Sequence, residues 1–246
     1  MEQGETGWLD GAVRETAEGR AGAIPVVVAY RVEAPRGTAL ILHGRNGAPD
    51  QVQIAAIAEA YLARGWRVAL PELPNSIALP ASGPAECLTM GGHRDAAIAV
   101  RDWALARWPG AVLGIAGHSL GAFAAAHLGA GAHHVLAVSP VLSGRTLLAA
   151  RVAMGPPAVE ALEREVPLLR AEMEAEDASP ALAALDPPLA VVTGELDGIV
   201  PLSHARAYFA AARDARFFAA VPAQHHCPEG PDYATMLAAA LTALKA

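Results

Sequence analysis

Short runs of almost unbroken apolar residues recur along this chain, and stretches of helical character separate them. Residues 24–32 (IPVVVAYRV), 38–42 (TALIL), 66–70 (WRVAL), 111–116 (AVLGIA), 135–138, 189–192 and 217–221 read as strands. Residues 51–64, 93–108, 120–129, 202–212 and 233–244 read as helices. A strand that is apolar on both sides must be covered on both faces. The pattern therefore predicts an α/β protein: a mostly parallel central sheet with helices on either side. Residues 71–91, rich in proline and glycine, read as a long loop. Residues 141–186 break the alternation. They hold no strand, and Val159, Leu162, Val166, Leu169 and Met173 fall on one helical stripe that Pro167 should kink or split. This predicts a helical cap inserted in a single domain spanning 1–246.

Composition narrows the partners. The chain has 246 residues, enough for one sizeable core. It is 53% hydrophobic and 17% charged, which argues against disorder. Its net charge of -7 argues against nucleic acid, whose phosphates call for clustered Lys and Arg. No apolar run approaches a membrane span, and residues 1–5 lack the basic patch and apolar stretch of a signal peptide. Cys87 and Cys227 imply no disulfide framework. The expectation is a cytoplasmic protein with a small-molecule partner, no nucleic acid and no membrane. Whether the two cysteines pair is left open, as is the oligomeric state.

The chemistry concentrates at Gly117-His118-Ser119-Leu120-Gly121, a G-x-S-x-G pattern between an apolar strand and an Ala-rich helix. A tight strand-to-helix turn strains the serine backbone and brings the residues two before and two after it together, where side chains would clash. The turn lifts the hydroxyl above the sheet edge. It also sets it at a helix N-terminus, where N–H groups favour developing negative charge.

With strand and helix in place, this motif resembles the nucleophile elbow of the α/β-hydrolase fold superfamily, of the serine esterase and lipase type. The resemblance covers about residues 24–245, apart from the cap. It implies an α/β-hydrolase fold and a triad in the chain order Ser, acid, His. Thr193-Gly194-Glu195-Leu196-Asp197-Gly198-Ile199-Val200-Pro201 resembles the family's strand-end segment and makes Asp197 the preferred acid, with Glu195 as competitor. A carboxylate there would fix the imidazole tautomer and stabilise the imidazolium. The base should follow the last strand, in Pro222-Ala223-Gln224-His225-His226-Cys227-Pro228, which lacks the glycines usual in the family. Counting from Val221-Pro222 favours His226; taking Ala223-Gln224-His225 as the turn favours His225. His226 is preferred, and only one of the two rings can serve.

The resemblance also implies an oxyanion hole from the N–H of Leu120 and, in the loop His43-Gly44-Arg45-Asn46-Gly47, the N–H of Arg45. The Arg45 side chain is read as facing solvent; the alternative is that it faces the pocket and attracts a carboxylate. No metal or other cofactor is expected: adjacent residues such as His225, His226 and Cys227 rarely converge on one ion, and no HExxH or CxxC is present. His133-His134 reads as structural, and Trp66, Trp103 and Trp108 as core anchors. Leu142, Leu147, Leu148, Met154 and Ile199 are the expected pocket liners. Residues 160–177 carry seven acids and two arginines, read as a solvated helix face; were they to rim the entrance they would disfavour anions.

The expected activity is hydrolysis of a small or medium carboxylic ester, thioester or lactone through an acyl-serine. Alternatives are C–C bond hydrolysis or acyl transfer by the same triad, and a non-catalytic binding module. Fold alone does not decide among them.

Overall fold

The computed structural model describes residues 11–20 and 22–246; the opening residues 1–5 lie outside them. Eight strands form one sheet in the order β1-β2-β4-β3-β5-β6-β7-β8. They are β1 (Val13–Gly19), β2 (Gly22–Ala29), β3 (Thr38–Leu42), β4 (Arg67–Pro71), β5 (Leu113–His118), β6 (His134–Val138), β7 (Leu189–Gly194) and β8 (Ala215–Val221). β1 pairs antiparallel with β2 and β2 with β4, while every pairing from β4 through β8 is parallel.

The period-2 geometry of a strand divides the apolar runs between two cores. Leu40 and Leu42 of β3 face one cluster, and Ala39 and Ile41 the other. The first cluster is covered by α2 (Met90–Arg107), α3 (Leu120–Leu128) and α8 (Leu202–Ala211), the second by α1 (Val52–Leu62) and α9 (Gly230–Ala243). Burial on both faces is why these strands lack the alternating polar residues of a half-solvated sheet.

Three sequence expectations shift. β1 was not foreseen, because VRETAEG is mostly polar; it is a largely exposed edge strand held by its register with β2. The run at 24–32 stops as a strand at Ala29, and Tyr30 and Val32 are exposed. The loop at 71–91 holds two short 3-10 turns, and α2 begins earlier than expected, with Thr89 accepting from the N–H of Gly92 as N-cap.

Between β6 and β7 lie four helices: α4 (Gly144–Ala153), α5 (Pro156–Glu165), α6 (Pro167–Glu172) and α7 (Ser179–Ala183). A Ser143/Thr146 capping box starts α4. Pro167 separates α5 from α6 because a proline fits the first turn of a helix and not its interior. Leu162, Val166, Leu169 and Met173 of the expected stripe are buried in the first cluster. Trp66 is buried; Trp103 and Trp108 pack edge to face against the core margin, and Arg67 lies 4.4 Å over the Trp108 ring. His134 is buried and accepts from the Tyr61 hydroxyl at 2.7 Å, a structural contact. Cys87 and Cys227 are both free thiols.

Candidate active site

Four loops at the carboxyl ends of β3, β5, β7 and β8 meet over the sheet. This is the crevice that parallel α/β sheets offer to ligands. Ser119 sits between β5 and α3 with φ 58 and ψ -119, a conformation that a non-glycine residue holds only under constraint. The constraint is visible at both glycines of the motif. A Cβ on Gly117 would lie 2.3 Å from the Gly121 carbonyl oxygen, and one on Gly121 would lie 2.1 Å from that of Leu42.

His226 lies on the turn after β8. Its Nε2 accepts from Ser119 Oγ at 2.9 Å, and its Nδ1 donates to Asp197 Oδ2 at 2.8 Å. Asp197, after β7, is buried; its Oδ1 accepts from the N–H groups of Ile199 at 2.9 Å and Val200 at 2.8 Å. Both oxygens are therefore engaged, and the carboxylate is fixed in orientation. The competing residues point elsewhere. Glu195 accepts from the N–H of Ala223 at 3.2 Å, and His225 is exposed, donating through Nδ1 to the Leu196 carbonyl at 3.0 Å. The histidine turn holds no glycine, and Ala223 takes the positive φ of 56 instead.

The residue next to the serine has a second task. His118 Nε2 donates to the backbone carbonyl of His226 at 2.9 Å, tying the elbow to the turn that carries the imidazole. Burial, reinforced by the neighbouring His226 ring, lowers the His118 pKa to about 3, so it remains a neutral donor.

The loop after β3 presses against Ser119. A Cβ on Gly44 would come within 2.9 Å of the Ser119 Cβ, so only glycine permits this approach. Arg45 and Leu120 follow Gly44 and Ser119, and their N–H groups donate to no other backbone group among the described residues. The loop is anchored from below. His43 Nε2 accepts from the N–H of Leu73 at 2.9 Å, leaving Nδ1–H for the Gly44 carbonyl at 2.9 Å. His93 Nε2 donates to the His43 carbonyl at 2.9 Å. Burial drives both pKa values down, to about 3 for His43, where the His93 ring adds to the effect, and about 4 for His93. Neither role was read from the sequence: His43 counted there only as part of the loop 43–47, and His93, a lone histidine on α2, carries no motif.

A cavity of about 210 Å³ opens beside Ser119. Of the expected liners, Leu147 and Ile199 border it, joined by Val141, Leu162 and Leu169. Leu142, Leu148 and Met154 do not: Leu142 is turned into the core, Leu148 packs at its margin and Met154 is exposed. The Arg45 side chain is a further correction, because it lines the cavity rather than facing solvent. Arg151 of α4 lines it too and was missed; it lies one helical turn after Leu147, on the same face. Among the described residues no cluster of His, Cys, Asp and Glu is placed to hold a metal ion. No helix of the described residues is long and apolar enough to cross a membrane.

No family model matches the sequence, and no curated protein does. Solved structures do match in shape. Est1E from Butyrivibrio proteoclasticus superposes with a TM-score of 0.73 at 14% identity, over 95% of this chain and 99% of that one. The esterase domain of a Rhodothermus marinus protein gives 0.69 at 18%, over 95% and 98%. A Xanthomonas campestris α/β serine hydrolase described as lacking a lid gives 0.65 at 18%, over 95% and 92%. The strand order, the elbow between β5 and α3 and these superpositions agree: the chain has the α/β-hydrolase fold.

Proposed function

We propose that this protein is a serine hydrolase that cleaves a small or medium carboxylic ester, thioester or lactone through an acyl-serine intermediate. The observation that carries the reading is the continuous relay from Ser119 Oγ through His226 to Asp197, with links of 2.9 and 2.8 Å. The esterases among the structural neighbours support the choice of ester as substrate class.

In this reading Ser119 Oγ gives its proton to His226 Nε2 and bonds to the substrate carbonyl carbon. The carbonyl oxygen takes the electron pair and is met by the N–H groups of Leu120 and Arg45. Asp197 stabilises the imidazolium and holds Nδ1–H in place. The imidazolium then protonates the leaving oxygen, and the alcohol departs. A water molecule, deprotonated by His226, attacks the acyl carbon; the acid leaves and Ser119 recovers its proton. The four helices between β6 and β7 act as the cap of this site, through Leu147, Leu162 and Leu169 on its wall. The protein is taken to work in the cytoplasm on a small-molecule ester, without a cofactor.

A fluorophosphonate probe tests the core of the proposal. It should label the wild type and leave Ser119→Ala unlabelled. His226→Ala should lose turnover of p-nitrophenyl acetate, and His225→Ala should keep most of it. An unlabelled wild type, or the reverse order of the two histidine variants, would overturn the assignment.

A further inference from the structure

The cavity beside Ser119 holds more positive charge than its walls balance. Arg45 and Arg151 both line it, and no Asp or Glu does. The Arg45 guanidinium has one loose partner, Glu165 Oε2 at 3.6 Å, and that carboxylate stands on the exposed end of α5. Arg151 Nε is buried without a partner, and its Nη1 meets only the Met154 sulfur at 3.9 Å, a weak acceptor.

The acids of residues 160–177 do not make up the difference. Glu176 pairs with Arg94 at 3.1 Å, Glu172 accepts from the N–H of Gly91 at 3.0 Å, and Asp177 accepts from that of Ser179 at 2.7 Å. Of those acids only Glu165 pairs with Arg45, and none lines the cavity. Burial lowers the pKa of both guanidinium groups; for Arg45 the charge of Arg151 lowers it further, against the pull of Glu165, and for Arg151 burial outweighs the pull of Glu165 and Asp197. Two partly desolvated cations facing one space are costly unless an anion joins them. Glu165 offsets part of this charge at the rim and Asp197, behind His226, part of it at Arg151, and what remains matches a monoanion better than a dianion.

We propose that Arg45 and Arg151 bind a carboxylate on the substrate, so that the preferred ester is a short half-ester of a dicarboxylic acid, or an equivalent carboxylated lactone. This rests on the hydrolysis proposed at Ser119 and names its substrate class. Arginine suits the task because its planar fork matches a carboxylate with paired hydrogen bonds. A cavity of about 210 Å³ favours a chain of few carbons.

Two measurements test it. The first compares kcat/KM for p-nitrophenyl hemiglutarate with that for p-nitrophenyl 5-methylhexanoate, which has the same shape without the charge. The wild type should prefer the hemiester at least tenfold, Arg151→Met should cut that ratio tenfold or more, and Glu165→Gln should raise it. A wild-type ratio of one or less, or a ratio that Arg151→Met leaves unchanged, overturns the proposal. The second needs no turnover: calorimetry of Ser119→Ala with monomethyl glutarate, dimethyl glutarate or inorganic phosphate. The monoanion alone should bind, more weakly as salt rises. Failure of the monoanion to bind, or tighter binding of phosphate, overturns the carboxylate site even where esters are hydrolysed. Binding of the monoanion together with an unlabelled Ser119 in the wild type would sustain this site and refute the hydrolase reading.

Discussion

Replacing Asp197 with asparagine changes one atom and should reverse the tautomer of His226. In the folded protein Oδ1 accepts two N–H groups, from Ile199 and Val200, while Oδ2 accepts from His226 Nδ1. An asparagine must choose which end carries the oxygen. Turning its NH2 toward Ile199 and Val200 would leave two buried N–H donors unmet, at about 1–3 kcal/mol each. The amide therefore keeps its oxygen on those donors and points NH2 at His226 Nδ1. That nitrogen must then accept, so the proton moves to Nε2, and the ring can no longer take one from Ser119. A preference of about 4 kcal/mol for the wrong arrangement makes the productive one about a thousandfold scarcer. Asp197→Asn should accordingly lose about 10³-fold in kcat/KM on p-nitrophenyl acetate while its melting temperature moves by only a few degrees. Asp197→Ala, which imposes no tautomer, should retain more activity than the asparagine variant. Asp197→Asn with more than a tenth of wild-type activity, or Asp197→Ala as the poorer of the two, would refute this reasoning.

Two further outcomes follow from burial and close approach. His43, His118 and His134 have pKa values lowered from 6.5 to about 3, and His93 to about 4, in each case chiefly by burial. Below pH 6.5 the unfolded chain binds protons that the folded chain refuses. The stability these rings contribute is therefore fully present above that pH and falls as pH drops toward 4, by up to about 1.4 kcal/mol per ring per pH unit. Urea unfolding at pH 7 and pH 5 checks this, and equal midpoints would contradict it. Gly121→Ala puts a Cβ 2.1 Å from the Leu42 carbonyl oxygen and 2.6 Å from that of His43, both backbone atoms that must move. The expected cost of about 1–3 kcal/mol corresponds to a melting temperature lower by about 2–12 °C. Thermal melts would show it, with a fall in turnover as the loop carrying Arg45 is pushed away.

The apolar runs announced the sheet because burial on both faces leaves no room for polar residues, and 38–42 became β3 residue for residue. The same logic failed at β1, where an exposed edge strand has no apolar signature and only pairing with β2 defines it. At the site, local signals carried Ser119, whose motif records a steric requirement, and Asp197, whose segment follows a buried strand. They could not separate His225 from His226, since the choice depends on how Ala223 turns the chain.

What the sequence alone determined is whatever short-range geometry imposes: strand and helix periods, the glycines at 117 and 121, and the split at Pro167. Tertiary packing alone decided that residues 107 apart in the chain, Ser119 and His226, share a hydrogen bond. It also decided that Arg45 and Arg151 face one cavity and that His118 braces the turn behind the imidazole. The reason is that hydrogen bonding and charge act through space over a few ångströms, whereas a sequence pattern reports only the constraints a residue shares with its chain neighbours.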